Sequence, residues 1–349
     1  MQPDLKKNKL IVISITILCI GAIVGYLICR ADNKVTHNRV TCDKKEYSLL
    51  DPIVVCESFT EKMQRVKDLE FEITKLITEK IEKKEIEGVS VFYRDLDSRR
   101  WFGINADESF YPASLLKLPE IIAYYKYAEA YPDILTRKVV IPEDQKDQNI
   151  GQYFKLQSSI LPGKEYSIRK LLEEMIINSD NNTIQTLNKN IPSDFSYNAF
   201  RDIGLPEPVI YNEKSSWSIT VRIYGSILRS LYLSSYLSPQ SSEQILKHLT
   251  ETKFQGGLRA VIPQNIPVAH KFGEAALLNP DRTIAMRVLH DCGIVYNKKD
   301  PYIICIMTKG MEMQKMTKTI QDIADIVQKR HNLHNPTVGK EDRTIHKDD

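Results

Sequence analysis

The chain has 349 residues, of which 42% are hydrophobic and 27% are charged, and its formal net charge is +3. This length is enough for one large globular unit or two small ones. The nearly balanced charge, without a concentrated basic stripe, argues against a nucleic-acid partner, and no internal repeat is visible.

The first predicted element is a membrane anchor. Residues 10–29 are uncharged, follow three lysines within residues 1–9 and are closed by Arg30. Their length is about that needed to cross a hydrocarbon core of roughly 30 Å, whereas a cleavable signal has a shorter core and a small-residue cleavage site. The lysines favour a cytoplasmic tail of residues 1–9. The sequence therefore predicts a single-pass protein of the cytoplasmic membrane with its larger part outside.

The cysteines are few for a chain of this length. Beyond the anchor, Cys42, Cys56, Cys292 and Cys305 would face an oxidising compartment. Cys42 could pair with Cys56 in a stalk, and Cys292 and Cys305 are expected on neighbouring strands. The sequence does not fix the pairing, and buried free thiols remain equally open.

The next elements form the start of the outer part. Residues 30–60 are polar and are predicted to form a stalk. Apolar residues at three- and four-residue spacing then predict a helix: Val66, Leu69, Ile73, Leu76, Ile77 and Ile81. Residues 89–96 and 100–106 indicate a β-hairpin, and a largely helical middle runs to about residue 250.

The end of the chain returns to strands. "VAHKFG", "VLHDCGIVY" and "YIICIMTKG" indicate three strands, and a final helix carries Met316, Ile320, Ile323 and Val327 on one stripe. The predicted fold class is α+β: an antiparallel sheet built from both chain ends, covered by the first and last helices, with a helical subdomain. This domain is assigned to residues 61–330, and the polar residues 331–349 are predicted to be disordered.

A possible nucleophile lies in the stretch "FYPASLLKLPE". Ser114 and Lys117 would share one face of a helix that starts near Ala113. Alone, this S-x-x-K pattern carries little weight, because it recurs at Ser167, which is interpreted as the N-cap of a helix. Two further patterns add weight, and they occur in this order: Ser179-Asp180-Asn181 after that helix and Lys271-Phe272-Gly273 on a strand.

With S-x-x-K, S-D-N and K-x-G in order on helix, loop and strand, residues 65–330 resemble the class A β-lactamase superfamily of penicillin-recognising serine hydrolases. The resemblance implies the α/β sandwich of that family and an acyl-enzyme on Ser114, formed by opening a β-lactam or a related amide. No cofactor or metal is expected, and the protein is expected to be a monomer.

The resemblance also implies a role for each motif residue. Lys117 would be the base, which requires its pKa to fall from about 10.4 by roughly three units. Burial and a second cation, Lys271, would both lower it. Ser179 would relay a proton to the leaving nitrogen. Asn181 would bind the side-chain amide of the substrate, and Asp180 would tether the loop.

The substrate carbonyl has its own predicted site. Backbone N–H groups of Ser114 and Glu274 would form an oxyanion hole, and Gly273 fits a strand edge that a substrate approaches closely. Lys271, Gly273 and Glu274 are therefore predicted to contact substrate, together with Asn181.

The chain departs from the family in two places. The E-x-x-L-N loop, whose glutamate hydrolyses the acyl-enzyme, is absent; Glu207 and Glu213 lie in that region and are interpreted as solvated loop residues. Phe272 replaces the usual Thr or Ser that helps hold the substrate carboxylate, and it is expected to crowd the site. Acylation is therefore predicted, while rapid deacylation and tight β-lactam binding stay open.

Other interpretations of the sequence remain. His290 and Cys292 could suggest a metal, but no zinc spacing follows, so they are interpreted as structural. A D,D-peptidase acting on peptidoglycan stem peptides is an enzymatic alternative, favoured by the missing E-x-x-L-N. A non-catalytic receptor for wall fragments or β-lactams is a third, weakened by a cytoplasmic tail of nine residues.

Overall fold

The central sheet has five antiparallel strands in the order β2-β1-β9-β8-β7, so both chain ends contribute to it. The strands are β1 (Gly88–Asp95), β2 (Trp101–Ile104), β3 (Lys138–Val140), β4 (Glu165–Ser167), β5 (Val209–Tyr211), β6 (Lys214–Ser216), β7 (Val268–Leu278), β8 (Ile284–Val295) and β9 (Tyr302–Gly310). The predicted hairpin and the three late strands are confirmed, with Val91 opposite Ile104 in the first pair and Cys292 opposite Cys305 in the last.

The helices form two groups around this sheet. They are α1 (Phe59–Glu82), α2 (Lys117–Ala130), α3 (Ile168–Ile177), α4 (Ile184–Leu187), α5 (Ser193–Asp202), α6 (Val221–Tyr232), α7 (Pro239–Thr250) and α8 (Met313–His334). Short 3₁₀ turns lie at Ala113–Leu116, Pro132–Leu135, Asn181–Thr183 and Leu258–Ala260.

This computed structural model describes residues 59–334 apart from 156, 212–213 and 299. The fold is that of the unit Lys62–Asp349, and most of the unit Met1–Glu61 lies outside the described range. The predicted anchor, most of the predicted stalk and the possible Cys42–Cys56 pair also lie outside it. Among the residues described, no helix combines the length and the apolar character that a membrane crossing needs.

Alternation along the strands produces two cores, one on each face of the sheet. Val91 and Tyr93 of β1 pack with α1 and α8, whereas Phe92 between them packs with the helical subdomain. This is the two-residue period expected of a strand that is buried on both sides. The stripe predicted for the closing helix, from Met316 to Val327, is buried as expected.

The strands β8 and β9 are covalently linked. Cys292 and Cys305 occupy directly opposite positions and form a disulfide. The prediction of neighbouring strands is confirmed, and of the two chemical states left open by the sequence the structure contains the disulfide.

Some boundaries differ from the sequence-based prediction. Helix α1 already starts at Phe59, within the predicted stalk, and α8 continues to His334, into the segment predicted to be disordered. The hairpins β3–β4 and β5–β6 were not predicted, because strands of three residues are too short to show an alternating pattern. Ser114 lies on a 3₁₀ turn before α2, rather than on the α-helix itself.

Candidate active site

Ser114 lies on the 3₁₀ turn Ala113–Leu116, directly before α2. The N–H of Leu115 donates to the carbonyl of Pro112 at 3.0 Å, and Ala113 adopts a left-handed φ of 49°. The half-buried Ser114 lines a cleft of about 400 Å³. Within the described part of the chain its hydroxyl makes no hydrogen bond. The hydroxyl is therefore free to meet a ligand in the cleft.

Lys117 is the first residue of α2 and is buried although it lines the same cleft. Its Nζ donates to the carbonyl of Ser179 at 2.5 Å and to Oδ1 of Asn181 at 2.6 Å, and it lies 3.3 Å from Oγ of Ser179. The first and second sequence motifs therefore meet through this amine, as predicted.

The third motif reaches the same serine from the sheet. Lys271 on β7 is fully buried, and its Nζ donates to Oγ of Ser179 at 2.8 Å and to the carbonyl of Phe272 at 2.8 Å. The Ser179 hydroxyl thus lies between two amines, one from α2 and one from β7. A proton could move along this row of groups.

The amines are electrostatically unlike surface lysines. Burial lowers the pKa of Lys117 to about 7, against a smaller opposing effect of the Asp180 carboxylate. Burial, and then the charge of Lys117, lower the pKa of Lys271 well below its ordinary value. Lys117 therefore carries a downward pKa shift, in the direction that the sequence analysis expected. The shift at Lys117 comes mainly from burial. The repulsion between the two amines lowers the pKa of Lys271 instead.

The S-D-N loop holds Ser179 in a strained conformation. Ser179 has a left-handed φ of 53°, which is unfavourable for a residue with a side chain. Asp180 stabilises the loop: its carboxylate accepts from the N–H of Asn182 at 2.9 Å, from Nδ2 of Asn149 at 2.7 Å and from the hydroxyl of Ser158. Asp180 thus ties this loop to the segment 149–158, which agrees with the predicted tether.

Asn181 points into the cleft next to Lys117. Its Nδ2 donates to the carbonyl of Gln148, and its N–H donates to Oδ1 of Asn149. The acceptors of both bonds lie on the 140s loop. No sequence signal pointed to this loop, because its contacts are long-range.

The other wall of the cleft is the edge strand β7. Gly273 lies against the Ser114 turn, so closely that an added Cβ would be 3.0 Å from the carbonyl oxygen of Pro112 and 3.1 Å from the nitrogen of Leu115. Glu274 follows it and lines the cleft. This places the backbone of residues 273–274 beside that of Ser114, where the oxyanion hole was predicted.

We expect Gly273→Ala to slow acylation of Ser114 by about 100-fold, because a displacement of about 1 Å between reacting parts costs that much. The readout is the rate of covalent adduct formation in rapid-quench mass spectrometry. Gly310→Ala is the matched control, since its Cβ would meet only ordinary contacts of 3.5 Å or more. Equal acylation rates for the two variants would contradict the prediction.

The Glu274 side chain is committed to a neighbouring loop. Its carboxylate accepts from the N–H groups of Tyr153 at 3.1 Å and Phe154 at 2.9 Å. Burial raises its pKa, and the two N–H donors partly oppose that rise. This carboxylate therefore holds the 150s loop onto the edge of β7.

Phe272 does not crowd the cleft, contrary to the expectation from sequence. Its ring is buried, stacks on Phe254 at 4.1 Å between centroids and meets Phe154 edge-on at 6.2 Å. The Nζ of Lys271 lies 4.5 Å from its centroid. The ring is thus part of an aromatic cluster, and its effect on the site is the missing hydroxyl.

His290 and Cys292 are structural, as interpreted. Burial lowers the pKa of His290 to about 4, so the ring is neutral. It accepts from the N–H of Thr308 and donates through Nε2 to the carbonyl of Tyr111 at 2.9 Å, which steadies the approach to the Ser114 turn. The described residues hold no group of His, Cys, Asp and Glu side chains suited to a metal.

Two glutamates were considered from sequence for the missing E-x-x-L-N motif; of these, the described structure locates Glu207, which does not line the cleft. Glu207 is exposed on a loop, and Glu213 lies outside the described residues. A third carboxyl group was missed: Glu120 on α2 lines the cleft together with Ser114 and Lys117. The signal that could have found it is its three-residue spacing from Lys117, which repeats the spacing of Lys117 from Ser114.

Comparisons with known proteins agree with this arrangement. The family model described as the beta-lactamase enzyme family matches residues 68–331. Three similar solved structures show the fold: PBP-A in an acyl-enzyme complex with penicillin G (a mutant form; 19% identity, 77% of this chain and 97% of that chain, TM-score 0.63), a beta-lactamase from Chitinophaga pinensis (18%, 75% and 100%, 0.62) and the TLA-3 extended-spectrum beta-lactamase (17%, 76% and 98%, 0.64). A search of curated proteins found no match.

The family match covers well over half of the chain and includes all three motifs. The sheet order, the meeting of the motifs at one cleft and the likeness to solved structures agree with it. The chain therefore belongs to the beta-lactamase enzyme family, with the fold of the penicillin-recognising serine hydrolases.

Proposed function

We propose that this protein is a serine hydrolase that opens a β-lactam or a related amide through an acyl-enzyme on Ser114. One observation carries the proposal: Ser114 lines a cleft with Lys117, and the Ser179 hydroxyl lies between Lys117 and Lys271. The nucleophile with its base, the proton carrier and the second amine are thus provided by three separate segments of the chain.

Acylation uses these groups in sequence. The neutral amine of Lys117 takes the proton of Ser114 as Oγ bonds to the substrate carbonyl carbon. The backbone N–H groups of Ser114 and Glu274 stabilise the oxygen that becomes negative. The carbon–nitrogen bond then breaks, and Ser179 gives its proton to the departing nitrogen while its hydroxyl takes over the proton that Lys117 received from Ser114. With a pKa of about 7, Lys117 is neutral in a large fraction of molecules at physiological pH.

A second candidate is a D,D-peptidase that acts on peptidoglycan stem peptides. It shares the acylation step and differs in the substrate and in the fate of the acyl-enzyme. The missing E-x-x-L-N motif favours it.

The test uses the full chain in detergent with a chromogenic cephalosporin, and follows colour change and intact mass together. We expect the wild type to gain the mass of the opened lactam and Ser114→Ala to gain none. Ser167→Ala is the matched control, because Ser167 heads the second S-x-x-K pattern and only caps α3, where its loss costs about 1 kcal/mol of stability.

Each outcome selects one interpretation. Repeated turnover supports a β-lactamase, and a persistent adduct on Ser114 with cleavage of D-Ala-D-Ala peptides supports the peptidase. A persistent adduct without peptide cleavage supports a binding ectodomain and contradicts hydrolysis. If several lactams give no adduct and D-Ala-D-Ala peptides stay intact, the proposed function is wrong.

We further propose that the enzyme is a monomer anchored by residues 10–29, with its catalytic domain outside the cytoplasmic membrane. The uncharged segment behind three lysines supports this topology, and the Cys292–Cys305 disulfide suits an oxidising compartment. Protease added to intact spheroplasts should digest the domain, and alkaline carbonate should leave the full chain in the membrane. A protected domain or a chain released by carbonate would contradict the topology, and a dimer mass in detergent would contradict the monomer.

A further inference from the structure

Two carboxyl groups line the cleft in the part of the chain that the structure describes, Glu120 and Glu274. They differ in their partners. Glu274 accepts from two backbone N–H groups of the 150s loop, whereas Glu120 has no ion pair or hydrogen bond among the described residues. Glu120 is therefore the carboxyl group in the cleft that remains available for chemistry.

The position of Glu120 relates it directly to the nucleophile. It lies on α2, three residues after Lys117 and six after Ser114. Helix geometry puts its Cα about 4.5 Å along the axis from that of Lys117. Helical side chains lean toward the N-terminus, so the carboxyl group extends back toward the level of Lys117. Its presence in the lining of the cleft agrees with this direction.

We propose that Glu120 is the general base for hydrolysis of the acyl-enzyme, in place of a glutamate on an E-x-x-L-N loop. This inference rests on the proposed function. Glu120 takes a proton from a water molecule in the cleft as the water oxygen bonds to the ester carbon on Ser114. The bond from that carbon to Oγ of Ser114 then breaks. Oγ takes back the proton that Glu120 received from the water, which regenerates the carboxylate, and the product leaves as a carboxylic acid.

The ionisation of Glu120 suits this role. Burial raises its pKa to about 7, so the carboxylate forms in the range where a general base is most effective. The titratable groups around the cleft are Lys117 and Tyr124 on its own helix, Tyr111 before the nucleophile turn and Glu274 on β7. The residues of α3, α4 and α5 that line the cleft are uncharged.

The test separates formation of the adduct from its decay. The full chain and its Glu120→Gln variant are mixed with a limiting amount of penicillin G, and the acylated fraction is followed by intact mass. We expect acylation to change less than threefold and decay of the adduct to slow by about 100-fold or more, the typical share of a general base. Glu207→Gln, on an exposed loop, is the matched control and should decay as the wild type does.

A second measurement needs no variant. In the wild type, the decay rate should fall about tenfold for each pH unit below about 7 and level off above it, because only the carboxylate accepts the proton. In Glu120→Gln this dependence should be lost. If the two adducts decay at equal rates, or if the wild-type adduct does not decay, Glu120 is not the base, although acylation stands. If the wild type forms no adduct at all, the proposed function fails first.

Discussion

Replacing Lys117 with Met should slow acylation of Ser114 by about 100- to 10,000-fold, the range that a general base contributes. Met preserves the length of the side chain and removes the amine that would take the proton of Ser114. The wild-type acylation rate should rise with pH up to about 7 and then level off, because burial lowers the pKa of Lys117 to that value and only the neutral amine is a base. The variant should lack this rise.

The measurement is the rate of adduct formation by quenched-flow mass spectrometry between pH 5 and pH 9. Lys126→Met is the matched control, since Lys126 lies on the same helix and pairs with Glu129 near the surface. Thermal melting of both variants checks that the fold persists. A loss below tenfold for Lys117→Met, or an unchanged pH profile, would remove Lys117 from the role of base.

Glu120→Gln should stabilise the folded protein by up to about 3 kcal/mol at pH 8 and leave its stability unchanged at pH 4. Burial raises the pKa of Glu120 from 4.5 to about 7, so the folded state binds the proton more tightly than the unfolded state does. Stability linked to this group is therefore present below about pH 4.5 and is lost as the pH rises toward 7. A shift of 2.5 pKa units corresponds to about 3 kcal/mol.

Urea denaturation at pH 4, 6 and 8 measures this difference, because other titrating groups cancel between the variant and the wild type. Glu207→Gln, with its exposed side chain, should show no pH-dependent gain. A constant gain at all three pH values would indicate repacking rather than ionisation. No gain at pH 8 would show that the surroundings of the Glu120 carboxylate offset the cost of its burial. Together with slowed decay of the acyl-enzyme, the expected result would mean that stability is given up for catalysis at this residue.

The elements that the sequence predicted well are those with a strong local pattern. The long apolar strands β7, β8 and β9 and the amphipathic helices α1 and α8 are buried on the faces that their periodicity indicates, except at Ile81 near the end of α1, which is exposed. The three motifs could be matched to the family because each is a short local pattern and they follow one another in the order that the family has. Their meeting at Ser179 was predicted through the family resemblance and is present in the structure.

The features that were not predicted depend on contacts between distant segments. The ring of Phe272 lies outside the cleft because it packs against Phe154 and Phe254. These three residues are far apart in the sequence, and no local pattern indicates that they meet. The 3₁₀ turn at Ser114 is fixed in part by His290, 176 positions later on β8. Glu120 was overlooked because a glutamate on a helix is ordinarily assigned to its solvated face.

The position of β9 affects how this protein can be made. The last strand in the sequence lies in the middle of the sheet, with β1 on one side and β8 on the other. During translation, β1 must wait for more than 200 residues before β9, its second partner, leaves the ribosome. A stop codon before Tyr302 would delete the strand that joins both halves of the sheet. Such a late truncation should be as damaging as an early one, and the nascent chain should depend on chaperones until its final segment emerges.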